Sequence, residues 1–254
     1  MKLLFDYRFF NFLSKLESQP RRTRKLYSRI AKILRYKVII CPLAIFEKVL
    51  GFILRLLVPI YSNLVYLFVK HCTGFLGYYL RAAYYSGKAR KWGGNIIVDE
   101  DVIFENIEHY EFDEFIQIDK RVVIGCEHLE VGRGVHIAMG TIIGKGGNVI
   151  LRDFSGISYG CILIPASESS NRGNRTGSMI PYGERCIKKS IIHLEKESLI
   201  YSGCIIFPNV YLAEGAVCSA GMIVNKDIGQ WKIAFPDKEI DRVKITTKEP
   251  DYET

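Results

Sequence analysis

The stretch Leu194–Val224, LEKESLIYSGCIIFPNVYLAEGAVCSAGMIV, decides the fold. Leu194, Ile200, Ile206, Leu212, Cys218 and Val224 recur in it at a spacing of six without a slip. Four positions after the first five come Ser198, Cys204, Val210, Ala216 and Met222, most of them small. Six is not a near-multiple of 3.6, so an α-helix would smear these residues around its circumference. A short strand plus a turn instead returns them to one inward position of a triangular coil, and stacked coils build a continuous apolar column. The small residue belongs where the chain turns and room is scarce. Short antiparallel strands in a sandwich, the alternative, give no reason for five consecutive six-residue intervals.

Working toward the N-terminus, the same spacing returns in pieces from about Ile97. They are Ile97 and Ile103; Phe112, Ile118 and Ile124; Val131, Ile137 and Ile143; and Leu151, Ile157 and Leu163. One long break, Ile164–Ser190, is polar and rich in Ser, Asn, Arg and Gly. A 27-residue excursion without periodicity of its own is a functional loop more often than a neutral one. In repeat proteins such insertions map to the binding face. The organisation expected is a helical region over 1–93, a β-helix over 94–232 with an inserted loop at 164–190, and a tail over 233–254.

The net charge of +8 hides a split. Residues 1–93 hold 18 Lys+Arg against 3 Asp+Glu, and the remainder 17 against 24. Such asymmetry points to a basic module with an anionic partner, joined to an acidic domain. Residues 21–37 carry eight Lys or Arg and no acid, with Leu26, Ile30, Ile33 and Leu34 on one helical face. That make-up suits an anionic lipid surface. Between Val38 and Leu80 the longest uncharged run is Leu56–Val69, interrupted by Pro59, which falls short of the roughly 18–20 residues of a spanning helix. Helices lying in the interface are expected; a helical subdomain packed on itself is the alternative. No nucleic-acid signature accompanies the basic residues. Seven scattered cysteines without a CxxC pair argue for reduced thiols and against a zinc site. Asp6 and Arg8 interrupt the opening apolar residues, so no secretory signal is read. The expected location is cytoplasmic, peripheral on the inner face of the membrane.

Asn209–Gly221, NVYLAEGAVCSAG, resembles the "PGVxIGxGAxVGAG" coil of hexapeptide-repeat acyltransferases, and Met222–Asp227 is similar to their "SVVTKD". Gly74–Arg81 looks like the "GxxLR" lead-in of members that O-acetylate bacterial surface sugars. Val135-His136-Ile137-Ala138 and Gly144-Lys145-Gly146-Gly147 match the same branch. The resemblance spans about residues 74–242. It implies a left-handed parallel β-helix; with the amphipathic helices read above, the fold expected is mainly β with an α-helical, amphipathic N-terminal region. It further implies a homotrimer, acetyl-CoA held between subunits, and a sugar or glycolipid acceptor.

Acetyl transfer from a thioester needs a general base for the attacking hydroxyl and N–H groups for the oxyanion. Histidine suits the first task because its ordinary pKa lies near working pH. His136 precedes inward Ile137, so alternation points it outward, and its neighbours match the surface-sugar branch. It is the expected base. His193 stands in the same relation to Leu194 and is the lesser candidate; His109 and His128 have no such case. Many superfamily members carry the catalytic His in the loop after the coil matching Gly156–Leu163, whereas here Pro165–Ser170 has none. Glu168 takes the place of an acidic pair and is expected to orient a base or bind sugar hydroxyls. By resemblance, Ser202, Gly203, Ala220 and Gly221 let pantetheine lie against backbone, and Lys226, Lys238 and Arg242 meet CoA phosphates. The usual "GNPAK" ending is altered to Ala234-Phe235-Pro236-Asp237-Lys238, with Asp237 where phosphate would approach. No metal is implied. The rival to an enzyme is a catalytically silent β-helix scaffold.

Overall fold

The computed structural model describes residues 5–15, 21–35, 45–50, 52–53, 65–169, 175–180 and 184–244. Cys41, most of the Leu56–Val69 run and the last ten residues lie outside them. From Lys91 onward the chain winds as a parallel β-solenoid of three sheets, here called A, B and C. Sheets A and C have six strands each and sheet B eight. Most strands are only two residues long, because each coil must turn three corners within about 18 to 20 residues.

The hexad is the register of the solenoid. On sheet A, Phe112, Val131, Leu151, Leu194 and Leu212 are successive Cα partners. Sheet B stacks Ile118, Ile137, Ile157, Ile200, Cys218 and Ala234, and sheet C stacks Ile124, Ile143, Leu163, Ile206 and Val224. All belong to one buried cluster. The residues four places on, Ser198, Cys204, Val210 and Ala216, are also buried, at the corners. Gly203 and Gly221 take the B–C corner with φ near +72° and +74°, a conformation that glycine adopts without strain.

The first coil departs from the expected register by one residue. Val98 and Phe104, rather than Ile97 and Ile103, pair with Ile118 and Ile124. Ile97 instead turns outward and packs against a second cluster built from Phe5, Phe9, Phe10, Ala31, Leu34, Ala82 and Phe115. Helices cover the outside of this coil, so both faces are apolar and alternation loses its meaning there.

Those helices are α1 (Tyr7–Lys15), α2 (Arg21–Leu34) and α3 (Gly74–Ser86). Residues 45–50, 52–53 and 65–71 are helical as well. Helix α3 plugs the open end of the column: Tyr84 and Tyr85 join the main core, and Arg81 is fully buried. Its guanidinium donates to the carbonyls of Val98 (2.7 Å), Val69 (3.1 Å) and Cys72 (2.6 Å). A Cβ on Gly77 would stand 1.9 Å from the Cys72 carbonyl oxygen. The Gly74–Arg81 lead-in is therefore a structural plug. Strand Lys91–Gly94 already pairs with Tyr110–Glu114, so the sheet begins ahead of residue 94. At the other end Lys232–Ala234 continues sheet B and Glu239–Asp241 folds back antiparallel beside it.

Candidate active site

His136 projects outward from sheet B, between Gln117 and Gly156 in the ladder. One coil earlier, Asp119 follows inward Ile118 at the corner, diagonal to His136. His136 Nε2 lies 2.9 Å from Asp119 Oδ2, and Gln117 Nε2 donates to Asp119 Oδ1 at 2.8 Å. Burial alone would raise the Asp119 carboxyl. The hydrogen bonds from His136 and Gln117 outweigh that and hold it below its ordinary value, so it is ionised at neutral pH. An ionised carboxylate has no proton to give, so the shared one sits on Nε2 and leaves Nδ1 as the acceptor.

The imidazole borders a groove of about 430 Å³ across the outer face of sheet B. Ser155, Ser158, Tyr159, Tyr201 and Arg242 line it too. Ser158 Oγ is 2.8 Å from Ser202 Oγ, which brings Ser202 to the rim. His136, Ser202 and Arg242 thus converge on one surface. Arg242 reaches it from the closing strand: Nη1 donates to the carbonyls of Glu197 (3.0 Å) and Gly215 (2.8 Å), and the guanidinium stacks on Trp231. Gly203, Ala220 and Gly221 form the neighbouring B–C corner.

Lys226 and Lys238 lie elsewhere. They line a cavity of about 300 Å³ at the C-terminal end, together with Asp227, Asp237 and Glu239. Phe235-Pro236-Asp237-Lys238 is the hairpin turn, closed by the Phe235 N–H on the Lys238 carbonyl at 2.7 Å. The residues expected to hold CoA are therefore divided between the groove and this end cavity.

Glu168 is not brought to His136. The excursion leaves between sheets C and A, at the corner across the prism from sheet B, as an antiparallel arm of Ala166–Glu168 on Ile187–Lys189. Glu168 accepts a hydrogen bond from the Gly177 N–H at 2.8 Å and is ion-paired with Arg185, which closes the arm on itself. Gly147 lies under the exit, where a Cβ would meet the Pro165 and Ser190 carbonyl oxygens at 2.2 and 2.5 Å. His193 lies on sheet A, edge-on to Tyr211 and 3.1 Å from Glu195. Burial pushes its pKa down against the pull of Glu195, and it borders neither cavity.

Sequence reasoning missed Asp119 and Gln117. The signal was available: laying Phe112-Ile118-Ile124 over Val131-Ile137-Ile143 sets Gln117 beside His136 and puts an acid two residues later, at the corner.

No family model matches the sequence. A curated relative, the dTDP-4-amino-4,6-dideoxy-D-glucose acyltransferase of Escherichia coli, is 25% identical over 153 residues, covering 58% of this chain and 79% of the relative. Among solved structures, AntD, an N-acyltransferase from Bacillus cereus in complex with dTDP and 3-hydroxybutyryl-CoA, superposes with a TM-score of 0.55. It is 24% identical and matches over 62% of this chain and 85% of its own. A variant of AntD in complex with dTDP-4-amino-4,6-dideoxyglucose and coenzyme A gives a TM-score of 0.57 at 23% identity. These structures share the fold of this chain. Acyl transfer to a sugar is the reading that the comparisons support.

Proposed function

We propose that this hexapeptide-repeat protein transfers an acetyl group from acetyl-CoA to a sugar hydroxyl in polysaccharide or glycolipid assembly. The observation that carries the reading is the His136–Asp119 pair at the edge of the sheet B groove. As the hydroxyl attacks the thioester carbonyl, Nδ1 of His136 takes its proton, and Asp119 stabilises the imidazolium that forms. The tetrahedral intermediate then collapses, the carbon–sulfur bond breaks, and the departing thiolate recovers the proton from Nδ1. What sets this pair apart from His193–Glu195 is the groove beside it.

Homotrimer formation belongs to the same proposal. On the outer face of sheet C, Ile103, Val123, Ile142, Ile162, Ile205 and Ile223 are successive partners in one aliphatic row. Ile142 and Ile223 are 43% and 63% exposed in the single chain. A continuous apolar row on a sheet surface favours contact between copies.

A second reading follows from the curated relative: the acceptor atom is the nitrogen of an amino sugar. The same base serves both chemistries. Titration with acetyl-CoA, followed by transfer assays on hydroxyl sugars and on dTDP-4-amino-4,6-dideoxyglucose, separates them. Transfer to the amino sugar alone favours the second. Absence of binding to acetyl-CoA and to coenzyme A alike removes both and leaves the scaffold.

A further inference from the structure

Helical residues 45–50 and 52–53 are turned inside out. Ile45, Phe46, Val49, Phe52 and Ile53 fall at i, i+1, i+4, i+7 and i+8, a single face at 3.6 residues per turn. All five are exposed, from 45% to 61%. Glu47, on the opposite side, is 7% exposed, and its carboxylate meets the Tyr79 hydroxyl of α3. A helix packed only for stability would bury the apolar stripe and expose the acid.

Neighbouring elements show the same face. Leu67, Phe68, Phe75 and Leu76 are each at least half exposed. On α2 the four apolar residues expected together are divided. Leu34 is buried in the cluster against the first coil, while Leu26 and Ile33 stay exposed among Lys25, Arg29 and Lys32. Few acids oppose these cations: of the three in residues 1–93, Asp6 pairs with Arg8 and Glu47 points inward.

We infer that this N-terminal layer is a docking face for an anionic lipid surface, apolar residues entering the interface while Lys25, Arg29 and Lys32 meet lipid phosphates. Among the described residues no helix is long and apolar enough to cross a membrane. A second copy is the poorer occupant, because a symmetric contact would press two strongly basic faces together. The face sits at the end of the solenoid that α3 plugs. His136 stands two coils from the first, about 10 Å at the ~4.8 Å spacing of paired strands. That height suits a sugar carried on a lipid. This last step rests on the proposed acyl transfer; the docking face does not. A CoA-thioester donor places the docked membrane face on the cytoplasmic side.

The test is co-sedimentation of the full chain with phosphatidylcholine vesicles, with and without phosphatidylglycerol. The expected result is binding that requires phosphatidylglycerol and weakens with salt. Lys25→Gln with Arg29→Gln lowers the partition about 30-fold and flattens the salt dependence. Phe46→Ser with Phe52→Ser lowers it by roughly tenfold or more at every salt concentration. These positions are exposed, and unchanged circular dichroism confirms folding. Wild-type protein left in the supernatant, or variants that pellet as well as wild type, overturns the inference. So does a vesicle-free assembly larger than a trimer that Phe46→Ser with Phe52→Ser disperses, since a second copy then covers the face. Vesicle binding without any acetyl-CoA binding retains the docking face and discards the acyltransferase reading.

Discussion

Sheets B and C share an interior and oppose each other outside. Inside, both stack apolar residues in register, with isoleucine at Ile118, Ile137, Ile157 and Ile200 on sheet B and at Ile124, Ile143 and Ile206 on sheet C. Outside, sheet B carries Gln117, His136 and a groove lined by Ser155, Ser158, Tyr159 and Tyr201, while sheet C carries an aliphatic row from Ile103 to Ile223. The hexad specifies stacking and is indifferent to what the outer position does. The proposed function draws on the residues beside the periodic ones, the sheet B column for the proposed chemistry and the sheet C column for the proposed contact between copies.

The largest expected effect breaks the chemical column. His136→Ala lowers kcat by about 10²–10⁴-fold with acetyl-CoA affinity retained, since a positioned general base contributes about that much. Steady-state rates beside calorimetric titration check it. A variant with wild-type kcat removes His136 from the mechanism.

How much of this was legible in the sequence follows from the same contrast. At Ile118, Val131 and Ile137 the inward residue follows an outward Gln117, Glu130 or His136, and the hexad is plain. At Ile97 the helices replace water, and the reading slipped by one residue. His136 was legible because it precedes an inward isoleucine within a recognisable motif. Asp119 was not, because its partner lies one coil away, and only the 19-residue offset between Ile118 and Ile137 brings them together. Glu168 was read by its place in the chain, and the structure sets it on the arm at the C–A corner, away from the sheet B groove of its own coil.

Next in size is the contact column. Ile162→Glu with Ile205→Glu sets charges in the middle of the aliphatic row, and an unpaired charge in a dry contact costs about 3–5 kcal/mol. A trimer held by sheet C becomes monomeric by sedimentation velocity, with circular dichroism unchanged. Persistence of the trimer would exclude sheet C as the contact.

A smaller loss separates the base from its orienting partner. Asp119→Asn lowers kcat by about 10–100-fold, because the Nε2–H tautomer loses the carboxylate that selects it. Asp119 is ionised in the folded protein down to below its ordinary pKa, so acid loss of activity in the wild type does not report Asp119. The stability sign is separate. A depressed carboxyl stabilises the fold fully above the unfolded value of about 3.9 and loses that contribution as pH falls through the lower folded value. Wild type and Asp119→Asn therefore approach each other in stability in strong acid. A wild-type kcat in Asp119→Asn would reduce Asp119 to a structural role.

The smallest effect sets the groove against the arm. Glu168 holds the Gly177 N–H and Arg185 within the excursion, and both charged side chains keep partial contact with water, at 26% and 18% exposure. Screening limits such a pair, so Glu168→Gln costs about 1 kcal/mol of local order. Amide exchange then quickens over Ala166–Glu168 and Ile187–Lys189, while kcat changes by less than about twofold. If kcat instead fell as far as in His136→Ala, the arm would have to meet substrate, and since its own sheet B lies across the prism, that substrate would sit in the groove of a neighbouring copy.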